Sequence, residues 1–366
     1  MLSLSVYSLH RNSDKAIIRW MQSIEFYQNH LNKVSRSFSF CIARLDHEMR
    51  LWVSISYLLC RILDCIEDAS WICKSDQEAT FNDFDDFVKN RPEAIDFHEW
   101  IVRFPKNMPL FEIQLIEDSH AVFSDLHSLP ENIKKHIVKT VIQMSFGMRK
   151  FVLQNGSNQK IKLSSIQEVN IYCYFVAGVV GELLSALLME KHTNSQFKFK
   201  NLTHQYQFGL FLQKINILKD QKTDESEGRY LVHSREDLLS SLSSNADGAL
   251  QYLLDIPICE KGYRLFCAWS LFLGLSMLPF LRQTWLKNLF SRMPRKWVEK
   301  KLKHLETIID DNENIGRFFS KRMPRNSIFR RSPHNPKKVL TFAELSANYN
   351  LILPENSLQE LGLVGR

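Results

Sequence analysis

The sequence predicts an all-α protein. Apolar residues recur at helical spacing through most of the chain. Only 12 Gly and 11 Pro occur among 366 residues, and alternating β-branched runs are scarce. With 45% hydrophobic and 11% aromatic residues, a sizeable core can form, as one large domain or two ordinary ones. There is no dinucleotide GxGxxG, no Walker P-loop and no GxSxG elbow.

Residues 14–31 carry apolar side chains at helical spacing. Ser35-Arg36-Ser37-Phe38 reads as a turn into the next helix, with Ser as its N-cap. A long helix is expected from about Asp46 to Cys73. Residues 75–110 contain Pro92, Pro105 and Pro109 and read as mixed. Helical patterns resume at 111–128 and 131–153, and Asn155-Gly156-Ser157-Asn158 is a turn signal. Helices are expected at 165–191 and 203–222, separated by a polar break at 192–200. Residues 225–234 read as loop. Further helices are expected at 235–254, 259–283 and 295–310, with a weak one near 355–361.

Leu265–Leu281 runs 17 residues without a charge, the lower limit for a membrane span. Gly274 and Pro279 interrupt it, so a buried core helix is expected. The N-terminus lacks the pattern of a secretory signal. Seven cysteines show neither a CxxC pair nor zinc-ligand spacing, which predicts reduced, buried thiols and a cytoplasmic protein. The net charge of +7 is uneven: Arg317 to Lys338 carries eight Lys or Arg and no acid, leaving 7 − 8 = −1 elsewhere. That segment reads as a loop-rich tail suited to peripheral contact with an anionic membrane or to plain solvation; no nucleic-acid-binding motif accompanies it.

Two acidic clusters carry the chemistry. In the first, Arg61, Asp64 and Asp68 step by three and four residues and share a helical stripe. Glu67 stands beside it, and Leu59, Ile62, Leu63 and Ile66 lie opposite. In the second, Gln213, Asn216, Asp220 and Asp224 form one polar stripe on an otherwise apolar helix. Aspartates four apart repel one another on a helix. Two such pairs suggest a hard dication, and Mg²⁺ with diphosphate suits them because Mg²⁺ takes one or two carboxylates plus phosphate oxygens and water. The bland reading is a solvated face. Between the clusters, Tyr172–Leu188 contains Ala177, Gly178 and Gly181, which admit another backbone or a flat ligand. By pattern alone, Tyr172 and Tyr174 read as core aromatics.

Ser35-Arg36-Ser37-Phe38, RILDCIED (61–68), YCYFVAGVVG (172–181), GLFLQKINILKDQKTD (209–224) and Gly228-Arg229 together resemble the squalene synthases, kin of phytoene and dehydrosqualene synthases. The resemblance implies an all-α isoprenoid-synthase bundle around a central cavity, as a catalytic domain over 1–316 with a basic tail over 317–366. It implies head-to-head condensation of two farnesyl diphosphates with Mg²⁺, then reduction by NADPH, in a monomer. The metal positions would be Asp64, Glu67, Asp68, Asn216, Asp220 and Asp224. Arg36, Arg61, Gln213, Asn216 and Arg229 would meet diphosphate, and Tyr172 would assist proton removal. Arg292, Arg295 and Lys296 would meet the NADPH 2′-phosphate. Tyr-Leu-Val-His (230–233) departs from the Phe-Trp-Pro common in squalene synthases and is similar to the phytoene-synthase side. An enzyme that stops at presqualene diphosphate or makes dehydrosqualene is therefore the nearest alternative, and a non-catalytic assembly factor is a more distant one.

Overall fold

The computed structural model describes residues 24–153, 161–193, 197–287 and 293–323. The start of the 14–31 helix, the 155–158 turn, Arg292 and the tail from 324, with its weak helix, lie outside the described residues. The chain divides into two compact units, Met1–Leu129 and Pro130–Arg366.

The first unit contains α1 (residues 24–34), α2 (Arg36–Ile42), α3 (His47–Asp68), α4 (Lys74–Lys89), α5 (Ala94–Arg103) and α6 (Leu110–Ser128). Helix α3 packs on α2, α4 and α6 and buries Leu58, Leu59, Ile62, Leu63 and Ile66 completely. Asp46 caps it by accepting the Met49 amide at 3.2 Å. Ser35 occupies the N-cap position of α2 but makes no capping hydrogen bond, so that expectation is only half met. The expected long helix stops at Asp68, not Cys73. The Trp71 indole and the Gln77 amide both donate to the Ile66 carbonyl at 2.8 Å. They satisfy acceptors that the helix end leaves open.

The segment expected to be mixed, 75–110, holds α4 and α5. Its prolines fall between helices: Pro92 separates α4 from α5, and Pro109 caps α6. They mark ends rather than an absence of helix. Phe84, Phe87, Phe97, Trp100 and Phe123 knit α4, α5 and α6 together; Phe87 meets Trp100 edge-on at 5.7 Å, and the Trp100 indole donates to the Thr80 carbonyl at 3.1 Å.

The second unit contains α7 (Glu131–Leu153), β1 (Ile161–Lys162), α8 (Ile166–Cys173), a π-helical turn (Tyr174–Gly178), α9 (Val179–Lys191), α10 (Thr203–Ser226), β2 (Arg229–Tyr230), α11 (Arg235–Asp255), α12 (Lys261–Lys287), α13 (Arg295–Ile308) and α14 (Asn312–Ser320). Helix α10 is the hub, packed by α9, the π turn, α11 and α12. The small residues foreseen at 177–181 serve backbone approach: a Cβ on Gly209 would lie 2.1 Å from the Ala177 carbonyl oxygen, and one on Gly181 2.1 Å from that of Gln205. The expected 225–234 loop instead contains β2, which pairs in parallel with β1, Ile161 opposite Arg229.

Lys261–Leu281 and Ile166–Lys191 are both long and apolar enough to cross a membrane, yet 67% and 72% of their most apolar windows are buried within the chain. The first is the core helix foreseen, and Pro279 lies inside it without ending it. Helix α14 was not foreseen; its apolar residues are Ile315, Phe318 and Phe319, all buried. Five cysteines are buried, but Cys73 and Cys259 are exposed, contrary to the expectation of uniformly buried thiols, because both stand at helix junctions.

The fully buried Arg264 guanidinium donates to the Ile309 carbonyl at 2.8 Å, the Ile256 carbonyl at 2.6 Å and Asn312 Oδ1 at 2.6 Å. It closes the ends of α11 and α13 against α14. Arg264→Met should cost about 3 kcal/mol, because it strands buried carbonyls. Gly209→Ala should cost about 1–3 kcal/mol through overpacking. Thermal unfolding of each variant checks both.

Candidate functional site

In the first unit, the last turns of α3 carry the acidic cluster. Asp64 and Asp68 are half-buried and Glu67 is 4% exposed. Arg61 Nη1 donates to Asp64 Oδ2 at 3.3 Å, and Arg61 Nη2 donates to Glu112 Oε1 at 2.5 Å from α6. Burial opposes the Arg61 charge, but Asp64 and Glu112 outweigh that and hold its pKa above the ordinary value. Glu112 was not foreseen; it lies 51 residues away in an unremarkable helical pattern, so only tertiary packing reveals it. Arg36 stands at the first position of α2, and its side chain lies outside the described set.

In the second unit, α10 carries the stripe in graded exposure. Gln213 and Asp220 are half-buried, Asn216 is exposed and Asp224 is buried. Lys219 Nζ lies 3.1 Å from Asp220 Oδ2. The helix ends where Gly228 takes a left-handed φ of 83°, a conformation that costs glycine little. The chain reverses there, so Arg229 Nη2 donates to Asp224 Oδ1 at 2.5 Å. The GR dipeptide thus has one physical purpose: it turns an arginine back onto the last aspartate of the stripe.

Tyr172, at the end of α8, is 3% exposed and meets the Phe151 ring edge-on at 5.4 Å. Tyr174 opens the π turn, and its hydroxyl donates to Glu182 Oε1 at 3.1 Å. Burial pushes the Glu182 carboxyl up to about 6. Glu182 was missed, although it is the only acid between Tyr172 and Leu188. On α13, Arg295 and Lys296 are exposed, and Arg295 pairs with Glu299 at 3.0 Å. They supply positive charge without an enclosing cradle.

Among the described residues, no group of three His, Cys, Asp or Glu side chains is already gathered as a metal site. Two aspartates per helix, half-buried except for the buried Asp224, nevertheless suit Mg²⁺, which completes its octahedron with phosphate oxygens and water. The fit is to a metal that arrives with an anionic ligand.

Glu182 is protonated more readily in the fold than in the unfolded chain, so stability falls as pH rises from about 4.5 to about 6. Glu182→Gln should therefore raise the melting temperature at pH 7.5, by at most about 2 kcal/mol of stability, and lose that advantage near pH 4. Melting curves across this range check the sign.

The squalene/phytoene synthase family model matches residues 31–246. Squalene synthase of Bos taurus is 31% identical over 207 residues, which is 57% of this chain and 46% of that protein. Squalene synthase of Saccharomyces cerevisiae is 29% identical over 200 residues, 54% of this chain and 43% of that protein. The chain thus spans about half the length of the curated relatives it matches. A solved ligand complex of TcSQS shares the fold with a TM-score of 0.67 at 21% identity, covering 85% of this chain and 95% of that one. A dehydrosqualene synthase complex gives 0.52 at 17% identity, covering 79% and 98%. Since the family model takes in more than half of its residues, this chain belongs to the squalene/phytoene synthase family.

Proposed function

We propose that this protein is a squalene synthase, a transferase that joins two farnesyl diphosphates head to head through presqualene diphosphate and then reduces the product with NADPH. One observation carries this reading: within the stretch matched to the family, each aspartate pair has its own arginine held against it, Arg61 on Asp64 and Arg229 on Asp224. Carboxylate pairs flanked by guanidinium groups suit a magnesium diphosphate, whose two charge signs need both partners.

In this reading Asp64, Asp68, Asp220 and Asp224 hold Mg²⁺, with Glu67 and Asn216 beside them. Bound Mg²⁺ supplies Lewis-acid stabilisation of the departing pyrophosphate. Arg61 and Arg229, with Arg36, Gln213 and Asn216, bind and orient diphosphate oxygens as negative charge develops. Their existing carboxylate contacts hold each guanidinium in place before substrate arrives, which lowers the entropy lost on binding. The allylic cation left behind needs dry, electron-rich surroundings, and aromatic rings such as the buried Tyr172 and the half-buried Phe151 suit it. The Tyr172 phenol oxygen takes the role of guiding the proton lost from that cation.

The reductive step is the finer part of the proposal. Arg295 and Lys296 are exposed on α13; Arg292 lies outside the described residues. The Tyr230–His233 sequence favours a second reading in which the product is presqualene diphosphate or dehydrosqualene. The proposal also takes the enzyme as a cytoplasmic monomer that touches membranes through its basic C-terminal segment.

Purified protein given farnesyl diphosphate and Mg²⁺ should release presqualene diphosphate, and adding NADPH should convert it to squalene, as read by product mass. Unchanged products with NADPH would remove the reductase assignment. Asp64→Asn and Asp220→Asn should each lower turnover by about 10²–10³-fold, the scale seen when a preorganised charge-stabilising group is removed, with helical circular dichroism intact. Full turnover in either variant would favour other metal roles, and no turnover in the wild type would favour the assembly-factor reading.

A further inference from the structure

Lys214 is the one basic residue on the core-facing side of α10, and it is completely buried. Its Nζ donates to Ser241 Oγ at 2.6 Å and to Asn245 Oδ1 at 2.5 Å, both on α11. The Ser241 hydroxyl in turn donates to Asn170 Oδ1 on α8 at 3.1 Å. Among the described residues, the titratable group that acts on Lys214 is the buried Cys173 thiol of α8, and no carboxylate is among its partners. Burial alone pulls its pKa down to about 8.

A buried ammonium without a counter-ion is costly, and a well-packed apolar side chain of similar length would stabilise the helix packing better. Packing therefore does not account for it. What the amine does reach is specific. Through Ser241 it connects to Asn170, two residues before Tyr172, and it sits one residue after Gln213, where the polar stripe begins. One side chain thereby ties together the helix that carries Tyr172, the helix that carries Asp220 and Asp224, and α11 between their faces.

We propose that Lys214 is a positioning residue: its buried amine, through Ser241, Asn245 and Asn170, fixes the register of Tyr172 on α8 relative to the Gln213–Asp224 stripe on α10. This rests on the function proposed above for those groups, and it adds a cost in stability that the site requires. An apolar replacement should separate the two effects, because it relieves the cost while losing the register.

The test compares Lys214→Met with the wild type. The variant should melt at or above the wild-type temperature, because it removes a buried ammonium. Its kcat on farnesyl diphosphate should fall at least about tenfold with KM changed far less, the signature of lost transition-state alignment. In protein labelled with fluorotyrosine, the ¹⁹F resonance assigned to Tyr172 by Tyr172→Phe should shift in Lys214→Met. Wild-type kcat in the variant, or activity loss that simply follows its unfolded fraction, would overturn the proposal. Should Lys214→Met not fold, Ser241→Ala removes the Lys214–Ser241–Asn170 link, leaves the Lys214 bond to Asn245, and should still move the Tyr172 resonance and lower kcat. If the wild type makes no product, the catalytic reading fails by itself; the resonance shift then decides the register claim, and an unmoved Tyr172 signal in both variants ends it.

Discussion

Aspartates four residues apart near the C-terminal end of a helix oppose the helix that carries them. Their charges repel, and both stand where the helix dipole already presents negative potential. Asp64 and Asp68 occupy the last two turns of α3, and Asp220 and Asp224 the last two of α10. Everything around the two clusters compensates. Leu59, Ile62, Leu63 and Ile66 bury the other side of α3, while Trp71 and Gln77 take up its terminal carbonyls. Arg61 and Arg229 then supply the nearest positive charge. The helices hold an arrangement that an isolated peptide of the same sequence would resist.

The two arginines reach their aspartates by different routes. Arg61 precedes Asp64 by less than one turn and is braced from α6 by Glu112. Arg229 lies beyond the end of its helix and is returned by Gly228, then anchored by the short β1–β2 ladder. A guanidinium already shared between carboxylates is available to diphosphate without losing much rotamer freedom. The two motifs thus have unlike sequences, yet in each an arginine is held against one aspartate of the pair.

In the second unit, stability is spent in two places that packing does not require. The π turn at Tyr174–Gly178 brings the Tyr174 hydroxyl onto a half-buried Glu182, and Lys214 is buried with no carboxylate partner among the described residues. Both adjoin the segment 172–181 that carries the family resemblance, and wide turns of this kind often mark functional positions. The close approach of Gly181 and Gly209 to opposing backbone leaves α8, α9 and α10 little freedom to relax, so polar groups between them are held to tight tolerances.

The sequence alone determined the helical class, the positions of α3, α7, α10 and α11, and both aspartate stripes. Those features depend on spacing within one helix, and a period of 3.6 residues is readable from the chain itself. It also carried the family, because the motifs recur in order. It did not reveal α4, α5 or α14: prolines at helix junctions masked the first two, and the third is only nine residues long and lies across the expected 316/317 boundary between domain and tail. Only tertiary structure decided which charges meet across distance. Glu112 on Arg61, Asp224 under Arg229, Glu182 on Tyr174 and the Ser241–Asn245 seat of Lys214 each depend on where another segment's side chain comes to rest. Burial then sets the cost of every such charge, and burial belongs to the packed chain rather than to any residue in it.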